Sequence, residues 1–83
     1  MNKLLIKLYV PLIEKEYDIF IPINKSIKNI IYLLGKVIHE LSEGEYPINY
    51  PSKLINKDTG YIYPYDSNAK EEKILNGSSL ILL

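Results

Sequence analysis

The chain has 83 residues, 47% of them hydrophobic, and it contains no cysteine. This length predicts one small domain spanning residues 1–83, and the missing thiols exclude a disulfide scaffold, a thiolate metal site and a cysteine nucleophile. The 10 basic and 10 acidic residues cancel. That balance argues against nucleic-acid binding, which draws most of its affinity from cations that neutralise phosphates.

The beginning of the chain predicts neither a secretory signal nor a lipid anchor. Lys7 interrupts the first apolar run after three residues, and Asn2 stands where N-myristoylation needs glycine. No stretch approaches the ~20 apolar residues that a membrane span requires. Together with the lack of cysteine, these features favour a cytoplasmic protein that does not insert into a membrane.

Two strand-like segments open the chain. Residues 3–10 and 16–23 alternate between two faces, which is the period of a half-buried strand. The side chains expected to face the core are Leu4, Ile6, Leu8, Val10, Tyr17, Ile19, Ile21 and Ile23. The short link at residues 11–15 predicts an antiparallel hairpin with Leu12 near its tip. Pro22 has no N–H to donate, so the second strand is expected at a sheet edge.

Only residues 26–41 have a helical period. The apolar stripe expected to face a sheet consists of Ile27, Ile30, Ile31, Leu34, Ile38 and Leu41. Ser26 is the predicted N-cap, and Gly44 is the predicted stop in the left-handed conformation. Gly35 lies inside the helix, at a cost of about 1 kcal/mol relative to alanine, and is expected to allow close approach to the sheet.

Three more strands are predicted, at residues 53–56, 61–63 and 80–83. The last is an unbroken apolar run, which suits a strand in the middle of a sheet. The predicted order is therefore β-β-α-β-β-β in an α+β fold. The first and last strands are expected to be central, adjacent and parallel, with the helix across one face. This is the β-grasp layout.

With this order of elements, the chain resembles the ubiquitin superfamily over nearly its whole length. More narrowly, it resembles the YukD-like proteins, small bacterial ubiquitin-like proteins encoded with type VII (WXG100) secretion systems. Three segments carry the resemblance: Ser26–Ile31 at the helix start, Leu54–Asp58 in the third strand and its turn, and Ile74–Leu82 at the end. These are packing and turn patterns, and none of them is a catalytic motif.

The resemblance implies a non-enzymatic accessory or regulatory component of type VII secretion, without a cofactor, that acts through protein–protein contacts and can self-associate as a homodimer. Conjugating and sulfur-carrying members of the superfamily need a flexible Gly-Gly end, whereas this sequence ends in Leu82-Leu83. A modifier or sulfur carrier is therefore the disfavoured alternative. A ubiquitin-like interaction domain unrelated to secretion is the other alternative.

No group of residues predicts a catalytic or metal site. His39 is the only histidine, and helical geometry places it almost opposite the apolar stripe, where a solvated side chain is expected. The acidic residues Glu40, Glu43 and Glu45 lack the spacing of a calcium loop and are interpreted as a solvated helix end.

Five residues are candidates for a partner-binding surface. Tyr32 and Leu33 fall outside the helix stripe, where adjacent exposed apolar residues are able to form a contact patch. Leu12, Ile55 and Leu83 resemble, by position, the sheet patch with which ubiquitin-type folds bind partners. The strand near Ile55 is too short for alternation to decide whether Ile55 or its neighbour faces inward.

The eight tyrosines are a second feature of the composition. Tyr61, Tyr63 and Tyr65 are expected on one side of a brief strand, with Tyr46 and Tyr50 in the preceding loop. Tyrosine is favoured at recognition surfaces. The simpler interpretation is β-propensity together with an AT-rich codon bias.

Overall fold

The computed structural model describes residues 2–83, which form one α-helix and a four-stranded sheet. The elements are β1 (Lys3–Val10), β2 (Lys15–Pro22), α1 (Ile27–Leu41), β3 (Leu54–Asn56) and β4 (Ser79–Leu82), with a 3-10 turn at Pro11–Ile13 between the first two strands. The strand order across the sheet is β2-β1-β4-β3.

The first two strands form the predicted antiparallel hairpin. Their register pairs Lys3 with Pro22 at one end and Val10 with Lys15 at the other. Glu14 closes the turn with a left-handed backbone (φ 53°), and its N–H donates to the Pro11 carbonyl at 3.1 Å. Strand β2 lies at the sheet edge, as the proline within it predicted.

The last strand lies beside the first, in the middle of the sheet. β1 and β4 run parallel, with Lys7 opposite Ser79 and Tyr9 opposite Ile81, and β3 pairs antiparallel with β4 on its other side. The expectation that the two most apolar strands are central, adjacent and parallel is confirmed. The reason is physical, since a strand in the middle of a sheet is the one most completely removed from water.

The prediction of a fourth strand at residues 61–63 is wrong. Only an isolated bridge joins Ile62 to Ile55. Two hydrogen bonds flank this bridge, from Asn56 N–H to the Tyr61 carbonyl (2.8 Å) and from Tyr63 N–H to the Leu54 carbonyl (3.0 Å). β3 is only three residues long and Pro64 cannot donate, so the ladder does not extend.

Both ends of α1 follow the predicted signals. The Ser26 hydroxyl accepts a hydrogen bond from Asn29 N–H at 3.2 Å. The helix ends at Leu41, and Gly44 has the left-handed backbone (φ 85°) expected of a helix stop, with its N–H donating to the His39 carbonyl at 2.8 Å.

The core lies between α1 and one face of the sheet. The helix contributes Ile27, Ile30, Leu34 and Ile38, all buried, while Ile31 is half-buried. The prediction for Leu41 is wrong, since this side chain is 56% exposed. It is the last helical residue, and the chain turns immediately afterwards, burying Ser42 instead.

Gly35 differs from its expected role as well. A β-carbon at this position would lie 3.9 Å from a ring carbon of Tyr46. The glycine therefore faces an aromatic ring of the following loop. Its neighbour is only at ordinary van der Waals distance, so the position leaves room for a methyl group.

Candidate protein-interaction site

A groove of about 570 Å³ lies between α1 and the segments that follow it. One wall belongs to the helix and the other to residues 49–52 together with Tyr65. The lining residues are Lys28, Ile31, Tyr32, Gly35, Lys36, Asn49, Tyr50, Pro51, Ser52 and Tyr65. Most of the exposed surface that lines the groove is apolar, which is the usual character of a ligand-binding concavity.

Tyr46 anchors the loop wall of the groove. Its ring is buried, with 1% of the residue exposed, and its N–H donates to the Ser42 hydroxyl at 2.9 Å. Its carbonyl accepts from Nδ1 of His39 at 2.7 Å. Because a carbonyl only accepts, this nitrogen carries the proton. The prediction that His39 is simply solvated is therefore wrong: the ring is half-buried and ties the helix to the loop.

The hydroxyl groups behind the groove form a short chain. The Ser52 hydroxyl donates to the Tyr50 carbonyl at 3.1 Å, so the Tyr46 hydroxyl is the donor in its contact with Ser52 Oγ. The Tyr65 hydroxyl donates to the Ser52 carbonyl at 3.3 Å. Burial raises the pKa of Tyr46 above its ordinary value, although the hydrogen bond with Ser52 acts in the opposite direction.

Two lysines give the groove its charge. Lys28 and Lys36 both line it, and none of the other lining residues is charged. The two ion pairs of the described residues lie elsewhere, between Lys15 and Glu45 and between Lys57 and Glu16. Lys36 Nζ lies 5.3 Å from the centre of the Tyr32 ring, within the range of a cation–π contact.

Tyr32 and Leu33 are exposed, as helical geometry predicted, and of the two only Tyr32 lines the groove. Leu12 and Leu83 are also exposed. These two share one end of the sheet, because Leu12 follows β1 and Leu83 follows the parallel β4. The structure therefore separates the five candidates into a helix pair and a sheet-end group.

Ile55 is almost covered, with 9% of its surface exposed. Its neighbour Leu54 belongs to the core cluster, whereas Ile55 does not. Alternation along the strand therefore places Ile55 on the opposite face of the sheet, where it pairs with Ile81 and Ile62. It offers little free area for contact, and Leu12 and Leu83 provide the accessible surface at that end.

The tyrosines do not form the single surface expected of a strand at residues 61–63. Tyr63 is 4% exposed and belongs to the core, whereas Tyr61 and Tyr65 are exposed. Burial raises the pKa of Tyr63 above its ordinary value. Tyr46 and Tyr50 meet edge to face with ring centres 5.5 Å apart. Burial and location thus distinguish the tyrosines that hold the structure from those that face the groove.

The groove itself was not predicted from the sequence. Its loop wall comes from a segment that showed no period, and the paired aromatic residues Tyr46 and Tyr50 were the only signal available there. Within residues 2–83, no cluster of three or more histidine and acidic side chains is placed to hold a metal ion. The described helix falls short of the length and apolar content of a membrane span.

The sequence matches no family model and no curated protein. The structure, however, is similar to solved ubiquitin-like domains. The ubiquitin-like domain of the Mycobacterium tuberculosis type VII secretion system protein EccD1 superposes with a TM-score of 0.77 at 13% identity, over 100% of this chain and 99% of that one. The ubiquitin-like domain of EccD5 from Mycobacterium xenopi gives a TM-score of 0.76 at 16% identity, covering 100% and 94%.

The fold is ubiquitin-like.

The similarity is not confined to secretion proteins. The ubiquitin-like domain of an Arabidopsis thaliana protein has a TM-score of 0.64 at 16% identity, over 100% of this chain and 78% of that one. At these identities the comparison supports the architecture, a mixed sheet with one helix across it, rather than a shared activity. The ubiquitin-like architecture predicted from the sequence is confirmed.

Proposed function

We propose that this ubiquitin-like chain is a non-enzymatic accessory or regulatory protein of bacterial type VII secretion. It acts in the cytoplasm by docking onto another protein through non-covalent contacts. The observation that carries the proposal is the match with the EccD1 and EccD5 domains, which extends over the whole of this chain at TM-scores of 0.77 and 0.76.

Two surfaces are available for docking. The first is the groove beside α1, where Tyr32 and its neighbours offer apolar area within reach of two lysines. The second is the sheet end marked by Leu12 and Leu83, both about half exposed. Adjacent exposed apolar side chains of this kind are typical of contact surfaces.

The test is made in the bacterium that encodes the chain. A tagged copy is expected to co-purify with a component of the type VII secretion machinery. Deletion of the gene is expected to change the amount of small WXG100 substrates in the culture medium. Recovery of unrelated proteins only, together with normal secretion in the deletion strain, would contradict the proposal.

Paired variants identify the surface. The deletion strain is complemented with one of two double variants. Tyr32→Ser with Leu33→Ser removes apolar area from the helix, and Leu12→Ser with Leu83→Ser removes apolar area from the sheet end. All four side chains are exposed, so the variants are expected to fold normally. If one double variant no longer co-purifies with the secretion component and the other still does, the first variant marks the docking surface.

Light scattering at micromolar concentration distinguishes a monomer from a homodimer.

A further inference from the structure

We infer that the groove beside α1 binds a short extended segment of a partner protein in which apolar side chains lie between two carboxylates. This inference deepens the proposed function and rests on it for one point, that the ligand is a piece of protein. The recognition chemistry itself is argued from the groove.

The apolar part of the ligand follows from the groove's walls. Ile31 and Gly35 lie on the helix side, while Tyr50, Pro51 and Tyr65 lie on the other. The volume of about 570 Å³ lies within the range of ordinary ligand pockets. Tyrosine offers a large contact area at low entropic cost. A few aliphatic or aromatic side chains therefore fit this space.

The carboxylates follow from the charge. Lys28 and Lys36 line the groove without an ion-pair partner within 4 Å among the described residues, and no carboxylate lines it. The chain as a whole is neutral, so this local excess of positive charge is a property of the site. Complementary potentials across an interface select partners of the opposite sign.

The spacing of the carboxylates follows from the helix. Lys28 and Lys36 are eight positions apart in α1, a rise of about 12 Å. An extended peptide advances about 3.3 Å per residue, so roughly four residues cover the same distance. The expected ligand therefore has two acidic residues three or four positions apart, with apolar residues between them.

The groove is already formed before a ligand arrives. The loop wall is held by the contacts of Tyr46 with Ser42, Ser52 and His39, and Lys53 extends the ladder by exchanging hydrogen bonds with Leu83 at 2.7 and 2.9 Å. A rigid wall loses little entropy on binding. Binding is therefore expected without rearrangement of the backbone.

The test is a titration of the isotope-labelled chain with synthetic peptides, followed by amide chemical shifts. The probe is a peptide in which leucines and a tyrosine lie between two glutamates at the spacing given above. The expected result is amide shifts confined to α1, residues 49–52 and the surroundings of Tyr65. The same peptide with glutamine in place of glutamate is expected to bind about tenfold more weakly, and added salt weakens the acidic peptide selectively.

A matched pair of variants tests the lysines. Lys28→Glu with Lys36→Glu is expected to weaken binding of the acidic peptide by about tenfold or more. Lys3→Glu with Lys70→Glu changes the net charge equally at exposed positions outside the groove and is expected to leave binding unchanged. Tyr50→Ala removes apolar area from the groove without changing its charge. An unchanged far-UV spectrum verifies that each variant folds.

Three results would overturn the inference. They are equal binding of the glutamate and glutamine peptides, preference for a proline-rich peptide, and groove shifts that depend on protein concentration alone and so reveal a second copy of the chain. If one of these results is obtained while the chain still co-purifies with a type VII secretion component, the acidic ligand is refuted and the proposed function stands. If the purified chain binds the acidic peptide but co-purifies with no secretion component and its deletion leaves secretion normal, the proposed function is refuted and the ligand chemistry stands.

Discussion

The contact between Tyr46 and Ser52 allows a sharp prediction about stability. The Tyr46 ring is buried in the core cluster, and truncation of a buried aromatic residue to alanine costs about 3–5 kcal/mol. Domains of this kind have total stabilities on the order of 5–15 kcal/mol. Tyr46→Ala is therefore expected to remove a large fraction of the free energy of unfolding, or to prevent folding altogether.

The two hydroxyl groups have unequal roles, so the milder substitutions are expected to lower the free energy of unfolding by different amounts. Tyr46→Phe removes one donor and leaves Ser52 bonded to the Tyr50 carbonyl, so a loss of about 1 kcal/mol is expected. Ser52→Ala leaves the buried Tyr46 hydroxyl without its acceptor, at a cost of about 1–3 kcal/mol. The double variant is expected to lose less than the sum of the two.

Urea denaturation followed by far-UV circular dichroism measures all three variants and the wild type. Tyr32→Phe is the control, because Tyr32 is exposed, and it is expected to stay within about 0.5 kcal/mol of wild type. The reasoning is refuted if the losses of Tyr46→Phe and Ser52→Ala add to within about 0.3 kcal/mol. Additivity would mean that the hydroxyls do not interact.

Three further predictions concern the helix and the buried tyrosines. Gly35→Ala is expected to raise the free energy of unfolding by up to about 1 kcal/mol, since helix propensity improves and the added methyl has room; a loss in urea denaturation contradicts this. Ile38→Ala is expected to cost about 2–5 kcal/mol and Leu41→Ala no more than about 0.5 kcal/mol in the same assay, because only Ile38 is buried; equal costs contradict the corrected helix face. Burial raises the pKa values of Tyr46 and Tyr63 above the unfolded value of about 10. The stability that the two buried neutral hydroxyls contribute is therefore complete below a pH of about 10 and is lost as the pH rises above it. Melting temperatures measured across alkaline pH follow this decline, and the decline is expected to be shallower in Tyr46→Phe.

Much of the architecture was predictable because strand alternation and helix periodicity are local properties. The inward set of β1 and the N-cap at Ser26 needed only neighbouring residues. The inward side of β3 was not predictable, since three residues do not establish a phase. Leu54 is buried in the core because the strand pairs with β4 in a register that only the folded chain defines.

The candidate site was less predictable than the fold. Exposure of Tyr32 and Leu33 followed from their angular position on the helix. The opposite wall of the groove includes Tyr50 and Tyr65, which come from irregular segments and reach the helix only in the folded chain. The half-buried His39 was missed for the same reason, because its partner is a loop carbonyl rather than a residue of its own helix face.

The position of β4 also has a consequence for how the chain acquires its structure. The parallel pair that joins Lys7 to Ser79 links nearly the two extremes of the sequence, and contacts of such high sequence separation slow the search for the native state. During synthesis the hairpin and the helix emerge from the ribosome well before residues 79–82. Until those residues emerge, Leu80 and Leu82 are missing from the core that they share with the apolar stripe of α1, and transiently exposed apolar surface of this kind favours aggregation.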